Sequence, residues 1–286
     1  MQRTSKLLHI ADHSRDIAGL TYVYPVVSRR SGGVSIGINL NPNNACNWRC
    51  VYCQVPDLKR GAAPQIDLTA LETELRAFLH EILHGDFMLT QVIPEARRIN
   101  DIALSGNGEP TSAREFAQVI ALIGRVKADY DLPSNLKLVL ITNGSLIDRL
   151  DVQTGLSAMA QLNGEVWFKL DSVTRGGRQL INNTRMSLQR MRQNLRLATT
   201  LCPTWLQTCV FRIDGIPPST GESEAYLNFI EDFLIEGGQL KGVLLYGLAR
   251  PSMQPEAPRL TKVSQVWMET FSARIQALGI DVKLNA

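Results

Sequence analysis

The feature that most constrains the fold of this chain is a regular alternation of strand-like and helix-like segments. Short apolar runs typical of buried strands recur at residues 34–40, 101–106, 136–143, 165–171, 205–214 and 241–249. The intervals between them show the helical spacing of apolar side chains. Strands that alternate with helices indicate a parallel sheet covered by helices.

Amphipathic patterns predict where the helices lie. The first pattern consists of Leu71, Leu75, Phe78, Leu79, Ile82 and Leu83. Further helices are predicted near residues 113–128, 150–161, 184–201, 222–236 and 261–278, the last ended by Gly279. A capping box precedes three helices, in the pairs Thr69 with Glu72, Ser112 with Glu115, and Ser219 with Glu222.

The number of strand–helix units decides between a closed and an open architecture. Six units are fewer than the eight of a closed barrel. We therefore predict an α/β fold, a partial (β/α)6 TIM-like barrel. Residues 1–33 are predicted to form a short N-terminal extension in which residues 21–27 add a strand. Residues 34–286 are predicted to form one core domain with a C-terminal helix.

Composition and charge narrow the class of protein. Apolar residues make up 44% of the chain and charged residues 20%, as in a packed globular domain. A net charge of +3 does not by itself indicate a nucleic-acid binder. The sequence shows no signal peptide or membrane span, and its five cysteines do not suit a secreted disulfide framework. We expect a cytoplasmic protein with no membrane partner.

Three of the five cysteines lie within eight residues of one another. Cys46, Cys50 and Cys53 have the spacing C-x3-C-x2-C in the loop after the first predicted strand, and no fourth cysteine or histidine is close in the sequence. A structural zinc site takes four protein ligands, and iron–sulfur clusters are usually held by four thiolates. The spacing therefore raises the question of which centre uses three cysteines and leaves a position open.

The loops after the other predicted strands are polar and rich in glycine. Their sequences are SGNGEPT (105–111), TNGS (142–145), KLDS (169–172), RIDG (212–215) and YGLARPS (246–252). Ligands of α/β proteins bind at the carboxyl ends of the strands. These loops therefore predict one extended pocket at that end of the sheet.

The cysteine loop and the GNGEP segment together resemble the signatures of the radical S-adenosylmethionine (SAM) superfamily. The cysteine loop has an aromatic residue, Tyr52, before its last cysteine, and GNGEP resembles the superfamily's Gly-Gly-Glu-Pro motif. The resemblance covers about residues 34–250. In detail both motifs are most similar to the wybutosine-type, tRNA-modifying branch of iron–sulfur oxidoreductases.

The resemblance implies a cofactor and a reaction. In this superfamily the three cysteines hold three irons of a [4Fe–4S] cluster, and SAM chelates the fourth iron. An electron from the cluster cleaves SAM, and the resulting 5′-deoxyadenosyl radical abstracts hydrogen from a substrate. The chain would then be a radical SAM oxidoreductase or transferase that receives electrons from an external donor of the flavodoxin or ferredoxin type.

The resemblance also implies which residues contact SAM. They are Tyr52, Ser105, Gly106, Asn107, Gly108, Glu109, Thr142, Asn143, Lys169, Asp171 and Tyr246. The glycines allow close backbone approach, and Lys169 and Asp171 share one face of their strand. Relatives often have Ser-Leu-Asp there. Alternatives stay open: an Asx turn at Thr142 and Asn143, an ion pair between Lys169 and Asp171, and packing alone for Tyr52.

A charge pattern bears on the substrate. From Ser172 to Ile213 the chain has no Asp or Glu but contains Arg175, Arg178, Arg185, Arg190, Arg192, Arg196 and Arg212. Guanidinium groups suit phosphates and carboxylates, and Lys59, Arg60 and Arg250 add cations near the strand ends. This pattern favours an anionic substrate such as a nucleotide, RNA or a phosphorylated metabolite. The modest net charge and the lack of an added RNA-binding domain favour a small anion, with RNA as the alternative. A solvated helix face is the alternative.

Other functions also remain open on the sequence alone. A tRNA-modifying enzyme of the wybutosine type is one, and a non-catalytic iron–sulfur electron carrier is another, although a carrier would not need the polar strand ends. A zinc or nucleic-acid-binding module would require a fourth ligand nearby. We expect Cys202 and Cys209 to be buried core cysteines.

Overall fold

The computed structural model describes residues 19–28 and 32–285 and contains one large, mostly parallel sheet flanked by helices. Its eight strands are β1 Val23–Ser28, β2 Gly33–Ile38, β3 Ile99–Leu104, β4 Lys137–Thr142, β5 Gly164–Lys169, β6 Thr204–Cys209, β7 Gly242–Tyr246 and β8 Val282–Asn285. The strands lie side by side in chain order.

The sheet is open, as predicted. Strands β2 to β8 run parallel to their neighbours, while β1 pairs antiparallel with β2 so that Val23 faces Ile38. β1 and β8 form the two edges. The predicted α/β fold is confirmed, and the strand predicted at residues 21–27 corresponds to β1. Residues 1–18, 29–31 and 286 of the predicted extension and core lie outside the described residues.

Helices cover the sheet, and short segments complete the connections. The helices are α1 Leu68–His84, α2 Phe87–Gln91, α3 Phe116–Asp129, α4 Leu150–Gln161, α5 Arg175–Asn182, α6 Leu188–Leu201, α7 Thr220–Ile235 and α8 Gln265–Gln276. Two-residue strands pair Ala45–Cys46 with Lys59–Arg60, and Arg212–Ile213 with Leu260–Thr261. No helix in the described part of the chain has the length and apolar character needed to span a membrane.

The helix starts test the predicted capping boxes. Ser219 caps α7, since its side chain accepts a hydrogen bond from the backbone N–H of Glu222. The prediction at Thr69 is wrong because Asp67 caps α1 two residues earlier, accepting from the N–H of Ala70. The prediction at Ser112 is also wrong. That hydroxyl donates to the carbonyl oxygen of Glu109 (2.6 Å) within a 3-10 turn, and α3 begins only at Phe116.

The two faces of the sheet differ, and this difference positions the site. Phe168 and Leu206 point to the face covered by helices, where they belong to the main apolar core. The alternate side chains of the same strands lie on the opposite face, which we call the inner face. At the carboxyl ends of the strands a second apolar cluster forms on the inner face, composed of Val51, Tyr52, Cys209 and Phe211.

Candidate functional site

The cysteine loop leaves the carboxyl end of β2 and is held by hydrogen bonds on several sides. The backbone N–H of Cys53 donates to the carbonyl oxygen of Cys50 (3.0 Å), which closes a turn, and the N–H of Val51 donates to the carbonyl oxygen of Ile181 (2.8 Å). The side-chain amide of Asn41 donates to the carbonyl oxygen of Ala45 (2.9 Å). The three cysteines are thus presented by one braced loop, as free and partly exposed residues.

The donor set of this loop fits a cluster. In the described ranges, no three Cys, His, Asp or Glu side chains are grouped so that they could hold a single metal ion. Three cysteines that bind three different irons need not converge on one point. Burial of the sulfur atoms raises the pKa of Cys46 and Cys50 to about 12. Both are therefore neutral thiols at pH 7 and would lose a proton on binding iron.

The GNGEP loop packs directly against the cysteine loop. Gly106 has a φ of +142°, and a Cβ there would lie 2.4 Å from Oδ1 of Asn39. A Cβ at Gly108 would lie 2.0 Å from the carbonyl oxygen of Ala45. These glycines permit the close approach of the neighbouring loop, and their contact with SAM stays a prediction.

Asn107 lies between these two glycines. Its backbone N–H donates to Oδ1 of Asn39 (3.0 Å), and its side-chain amide donates to Oδ1 of Asn44 (2.6 Å). Its own Oδ1 is buried and has no hydrogen-bond partner among the described residues. A buried, unsatisfied acceptor is costly. It is suited to a ligand with an N–H group, such as the amino group of SAM.

Glu109 joins the carboxyl ends of β3 and β4. Its side chain is buried, with Oε1 accepting from the hydroxyl of Thr142 (2.6 Å) and Oε2 accepting from the backbone N–H of Asn143 (2.7 Å). Burial raises the pKa of Glu109, and these hydrogen bonds oppose the rise. Its backbone is extended, as Pro110 predicts. The carboxylate thus binds neighbouring protein groups.

Ser105, Thr142 and Asn143 also make local contacts. The hydroxyl of Ser105 is hydrogen-bonded to that of Tyr24 on β1 (2.8 Å). Thr142 Oγ1 and Asn143 Oδ1 accept from the N–H groups of residues 144 and 145 (3.0 Å each), so the turn that the sequence left open is present. Asn143 also donates its amide to Oδ1 of Asn47 in the cysteine loop (2.8 Å). Their contact with SAM stays a prediction.

The residues predicted at the ends of β5 and β7 meet the cysteine loop in one hydrogen-bonded group. Asp171 Oδ2 accepts from the hydroxyl of Tyr52 (2.6 Å), and Oδ1 accepts from the backbone N–H of Cys209 (2.9 Å). Lys169 Nζ lies 3.3 Å from the hydroxyl of Tyr52 and 3.4 Å from that of Tyr246. The shared face of Lys169 and Asp171 is confirmed. The Tyr52 hydroxyl bridges them in place of the direct ion pair considered above.

Burial and charge set the protonation states in this group. Burial raises the pKa of Tyr52 well above its ordinary value, so its hydroxyl is neutral at pH 7. Burial alone lowers the pKa of Lys169, but Tyr246 and Asp171 offset this effect and the net shift is upward. The group therefore places the ammonium cation of Lys169 beside Cys50 and the neutral hydroxyl of Tyr52.

Sequence reasoning missed the asparagines that connect these loops. Asn182, at the end of α5, donates its amide to Asp171 Oδ2 (2.7 Å) and to Cys50 Sγ (3.3 Å). Asn39, Asn41, Asn44 and Asn47 join the cysteine loop to its neighbours. Asparagine is an ordinary loop former, so each position is a weak signal. The four asparagines within residues 41–47 are a density that could have indicated the network.

Most arginines of the acid-free stretch stabilise the fold. Arg190 binds Asp148 (2.8 Å), and Arg192 and Arg196 bind Glu236 (2.9 Å each). The guanidinium of Arg178 donates to backbone carbonyl oxygens. The prediction that this stretch forms an anion-binding surface therefore loses these four residues.

Arg212 is placed differently from those four arginines. It follows Phe211, whose ring centroid lies 5.5 Å from that of Tyr52. Its Nε is buried and makes no hydrogen bond within the described part of the chain, which is also true of the Nε of Arg192. Its position beside the second apolar cluster is therefore what sets Arg212 apart. Among the arginines of the acid-free stretch, the argument for an anionic substrate thus rests mainly on Arg212.

Both remaining cysteines are buried, as predicted, but in different surroundings. Cys202 belongs to the main core, whereas Cys209 packs with Tyr52 in the second cluster.

The comparison with protein families agrees with this geometry. A sequence profile of the radical SAM superfamily matches residues 40–230. The chain therefore belongs to the radical SAM superfamily, whose members are enzymes that use a [4Fe–4S] cluster and SAM. Both predicted cofactors are those of the family.

Two curated proteins are similar to part of this chain. The GTPase Obg of Brachyspira hyodysenteriae is 28% identical over 132 residues, which are 46% of this chain and 17% of that protein. The UPF0026 protein MJ1312 of Methanocaldococcus jannaschii is 30% identical over 152 residues, 52% of this chain and 40% of that protein. The chain thus matches less than half the length of either relative, and their activities are not carried over.

Solved structures share the fold at low identity. The SuiB protein of Streptococcus suis, in a crystal structure with SAM bound, aligns over 90% of this chain and 51% of its own, with a TM-score of 0.57 and 11% identity. TYW1, in a structure with a lysine–pyruvate adduct, aligns over 85% of this chain and 72% of its own, with a TM-score of 0.54 and 15% identity. These likenesses establish the architecture and not the substrate.

Proposed function

We propose that this chain binds a [4Fe–4S] cluster through Cys46, Cys50 and Cys53 and cleaves SAM reductively to abstract hydrogen from an anionic substrate. The observation that carries the proposal is the packing of the GNGEP loop against the cysteine loop. In the same loop the buried Oδ1 of Asn107 has no donor among the described residues.

The roles of the surrounding residues follow from their charges and positions. When bound, the cluster supplies the electron that cleaves SAM and so provides the radical for hydrogen abstraction. Asn107 would accept a hydrogen bond from the SAM amino group. The Lys169 ammonium would attract its carboxylate. Tyr52 and Tyr246 hold Lys169 in place and shield it from water, and Asp171 fixes the hydroxyl of Tyr52.

Metal analysis and SAM binding test this proposal together. After anaerobic reconstitution we expect about four irons per chain, a brown chromophore, and SAM binding that perturbs the spectrum of the cluster. One colourless zinc would support a zinc module, and a cluster without SAM binding would support an electron carrier. Asn107→Leu should weaken SAM binding and keep the iron, whereas Asn228→Leu, on the exposed face of α7, should change neither.

The surface beside the cysteine loop suits an acidic electron donor. Lys59 and Arg60 are exposed and pair in a short parallel strand with Ala45 and Cys46, so two cations border the loop. Complementary charge accelerates encounter between redox partners. We propose a donor of the flavodoxin or ferredoxin type. The five free thiols are consistent with the cytoplasmic location that we expect.

The substrate we propose is a small anion. The alternative is a tRNA, as for a tRNA-modifying enzyme of the wybutosine type. Arg212 offers one partly buried cationic group just beyond the carboxyl end of β6, which suits one phosphate or carboxylate. RNA would make many phosphate contacts and bind with a steep salt dependence. Binding of nucleoside monophosphates and of a tRNA across a salt series separates the two. Arg212→Gln should weaken the small-anion signal, and Arg190→Gln, a paired surface arginine, should leave it unchanged.

A further inference from the structure

Cys50 differs from Cys46 in the group that donates a hydrogen bond to its sulfur. The sulfur of Cys46 accepts from the backbone N–H of Trp48 (3.4 Å), which every residue except proline would supply. The sulfur of Cys50 accepts from the side-chain amide of Asn182 (3.3 Å). That bond depends on the identity of one residue, which lies 132 positions away in the chain.

The surroundings of Asn182 leave its amide little freedom. The side chain is buried, with the residue only 1% exposed, at the last position of α5. The amide group has two hydrogens, and its nitrogen is within hydrogen-bond distance of both Cys50 Sγ and Asp171 Oδ2. The backbone carbonyl of Asn182 accepts from the N–H of Arg49, one residue before Cys50. Helix α5 and the cysteine loop are therefore joined at this point.

A donor aimed at a cluster cysteine has a definite electrochemical effect. Reduction adds negative charge, part of which resides on the thiolate sulfurs. A hydrogen bond to a sulfur stabilises the reduced state more than the oxidised one. Hydrogen bonds to the sulfurs are among the factors that set cluster reduction potentials.

From this geometry we infer that Asn182 is a positioning residue that raises the reduction potential of the cluster bound at Cys50, and that Asp171 fixes its amide for that purpose. This inference rests on the proposed function, because it requires the cluster. It assigns to α5 a role that the sequence did not indicate. It also gives Asp171 two functions, since the same carboxylate oxygen accepts from Tyr52 in the candidate SAM pocket.

Potentiometric titration of the reconstituted cluster, followed by electron paramagnetic resonance, tests the inference. Asn182→Leu keeps the approximate volume but removes the donor, and we expect the equilibrium constant for one-electron reduction to fall about tenfold, or about 59 mV. Asn182→Gln keeps an amide and should restore most of the potential. Asn228→Leu, a remote surface control, should titrate like wild type.

A second readout separates tuning from a merely structural role. In deuterated buffer the reduced wild-type cluster should show a coupling to an exchangeable deuteron that is weaker in Asn182→Leu. If that variant assembles too little cluster, Asn182→Ala also removes the donor, with a smaller side chain, and should show the same fall in reduction potential. Equal potentials in wild type and in the variants that lack the donor would overturn the inference while leaving the proposed function intact. A wild-type protein that takes up no cluster would remove both.

Discussion

Two cationic regions of this molecule look alike in the sequence and are different in the structure. Lys169, at the end of β5, is held between two phenol groups and linked through Tyr52 to the partly buried carboxylate of Asp171. Arg190 and Arg196, on α6, make exposed ion pairs with carboxylates of neighbouring elements. Exposed pairs contribute little and are screened by salt.

The difference teaches how charge should be interpreted in an α/β chain. The charge of Lys169, at the carboxyl end of a strand on the inner face, meets loops from distant parts of the sequence, and its pKa is raised. A charge on a covering helix meets water and one partner. The arginine-rich stretch indicated a substrate site, but Arg190, Arg192 and Arg196 belong to the second kind. Position in the fold decides which kind a residue is.

The largest effect expected on the strand-end region comes from removal of a cluster ligand. Cys46→Ala, Cys50→Ala or Cys53→Ala should each abolish the visible absorbance of the anaerobically reconstituted protein, because no spare thiol of the loop can replace the lost one. Cys202→Ala, in the main core, is the matched control and should keep the chromophore. Full iron content in all three loop variants would refute the ligand assignment.

The next effect separates SAM binding from iron binding. Asp171→Ala should raise the dissociation constant of SAM about 10- to 100-fold, the equivalent of one charge-assisted hydrogen bond, since Tyr52 and Lys169 lose their anchor. Iron content should be unchanged. Asp148→Ala removes the carboxylate of an exposed ion pair with Arg190 and should leave the dissociation constant of SAM unchanged. Isothermal titration calorimetry of the reconstituted proteins measures the dissociation constant of SAM for each variant. Equal affinities for Asp171→Ala and wild type would place Asp171 outside the SAM site.

How far sequence reasoning reached can be explained from particular residues. The periodicity of apolar residues predicted strands β2 to β7, because local alternation carries that information. Strand β8 was missed because it has four residues, none of them fully buried. Helix α5 was missed because Gly176 and Gly177 follow its first residue. Gly177 is required there, since a Cβ would lie 2.0 Å from the hydroxyl of Ser172.

The site divides in the same way. Cys46, Cys50, Cys53, Gly106 and Gly108 could be predicted because their spacing is local. Asn182 could not, because its partners Cys50 and Asp171 come from two other loops that only the folded sheet brings together.

A smaller effect, on stability, is expected at Glu109, which links the carboxyl ends of β3 and β4 through hydrogen bonds. In Glu109→Gln the amide nitrogen cannot accept the hydrogen bonds made by the carboxylate, so a donor such as the N–H of Asn143 is left unsatisfied. We expect a loss of about 1–3 kcal/mol in the free energy of unfolding, measured by urea denaturation. Glu236 follows α7 and forms the exposed ion pairs with the arginines of α6. Glu236→Gln should lower the free energy of unfolding by less than about 1 kcal/mol. The reverse order would contradict the contrast between the two regions.

The smallest expected effect is a pH-dependent one at the edge of the site. Arg49 binds Glu256 through two hydrogen bonds (2.6 and 2.8 Å), and these lower the pKa of Glu256. A carboxyl group with a lowered folded pKa stabilises the fold above its unfolded pKa of about 4.3, and this contribution is lost as the pH falls through the folded value. Glu256→Gln should therefore lower the melting temperature slightly at pH 7, and this difference should shrink as the pH falls below the unfolded pKa and through the lowered folded value. A constant difference across that range would argue against the pair.

The central claim, that the loop of Cys46, Cys50 and Cys53 and the adjoining strand ends form a SAM-cleaving centre, is tested most directly by product formation. The reconstituted protein, reduced with dithionite under anaerobic conditions and supplied with SAM, should release 5′-deoxyadenosine and methionine, detected by liquid chromatography with mass spectrometry. Cys50→Ala should release neither product above background. An intact, reducible cluster that binds SAM but yields no 5′-deoxyadenosine would contradict the claim.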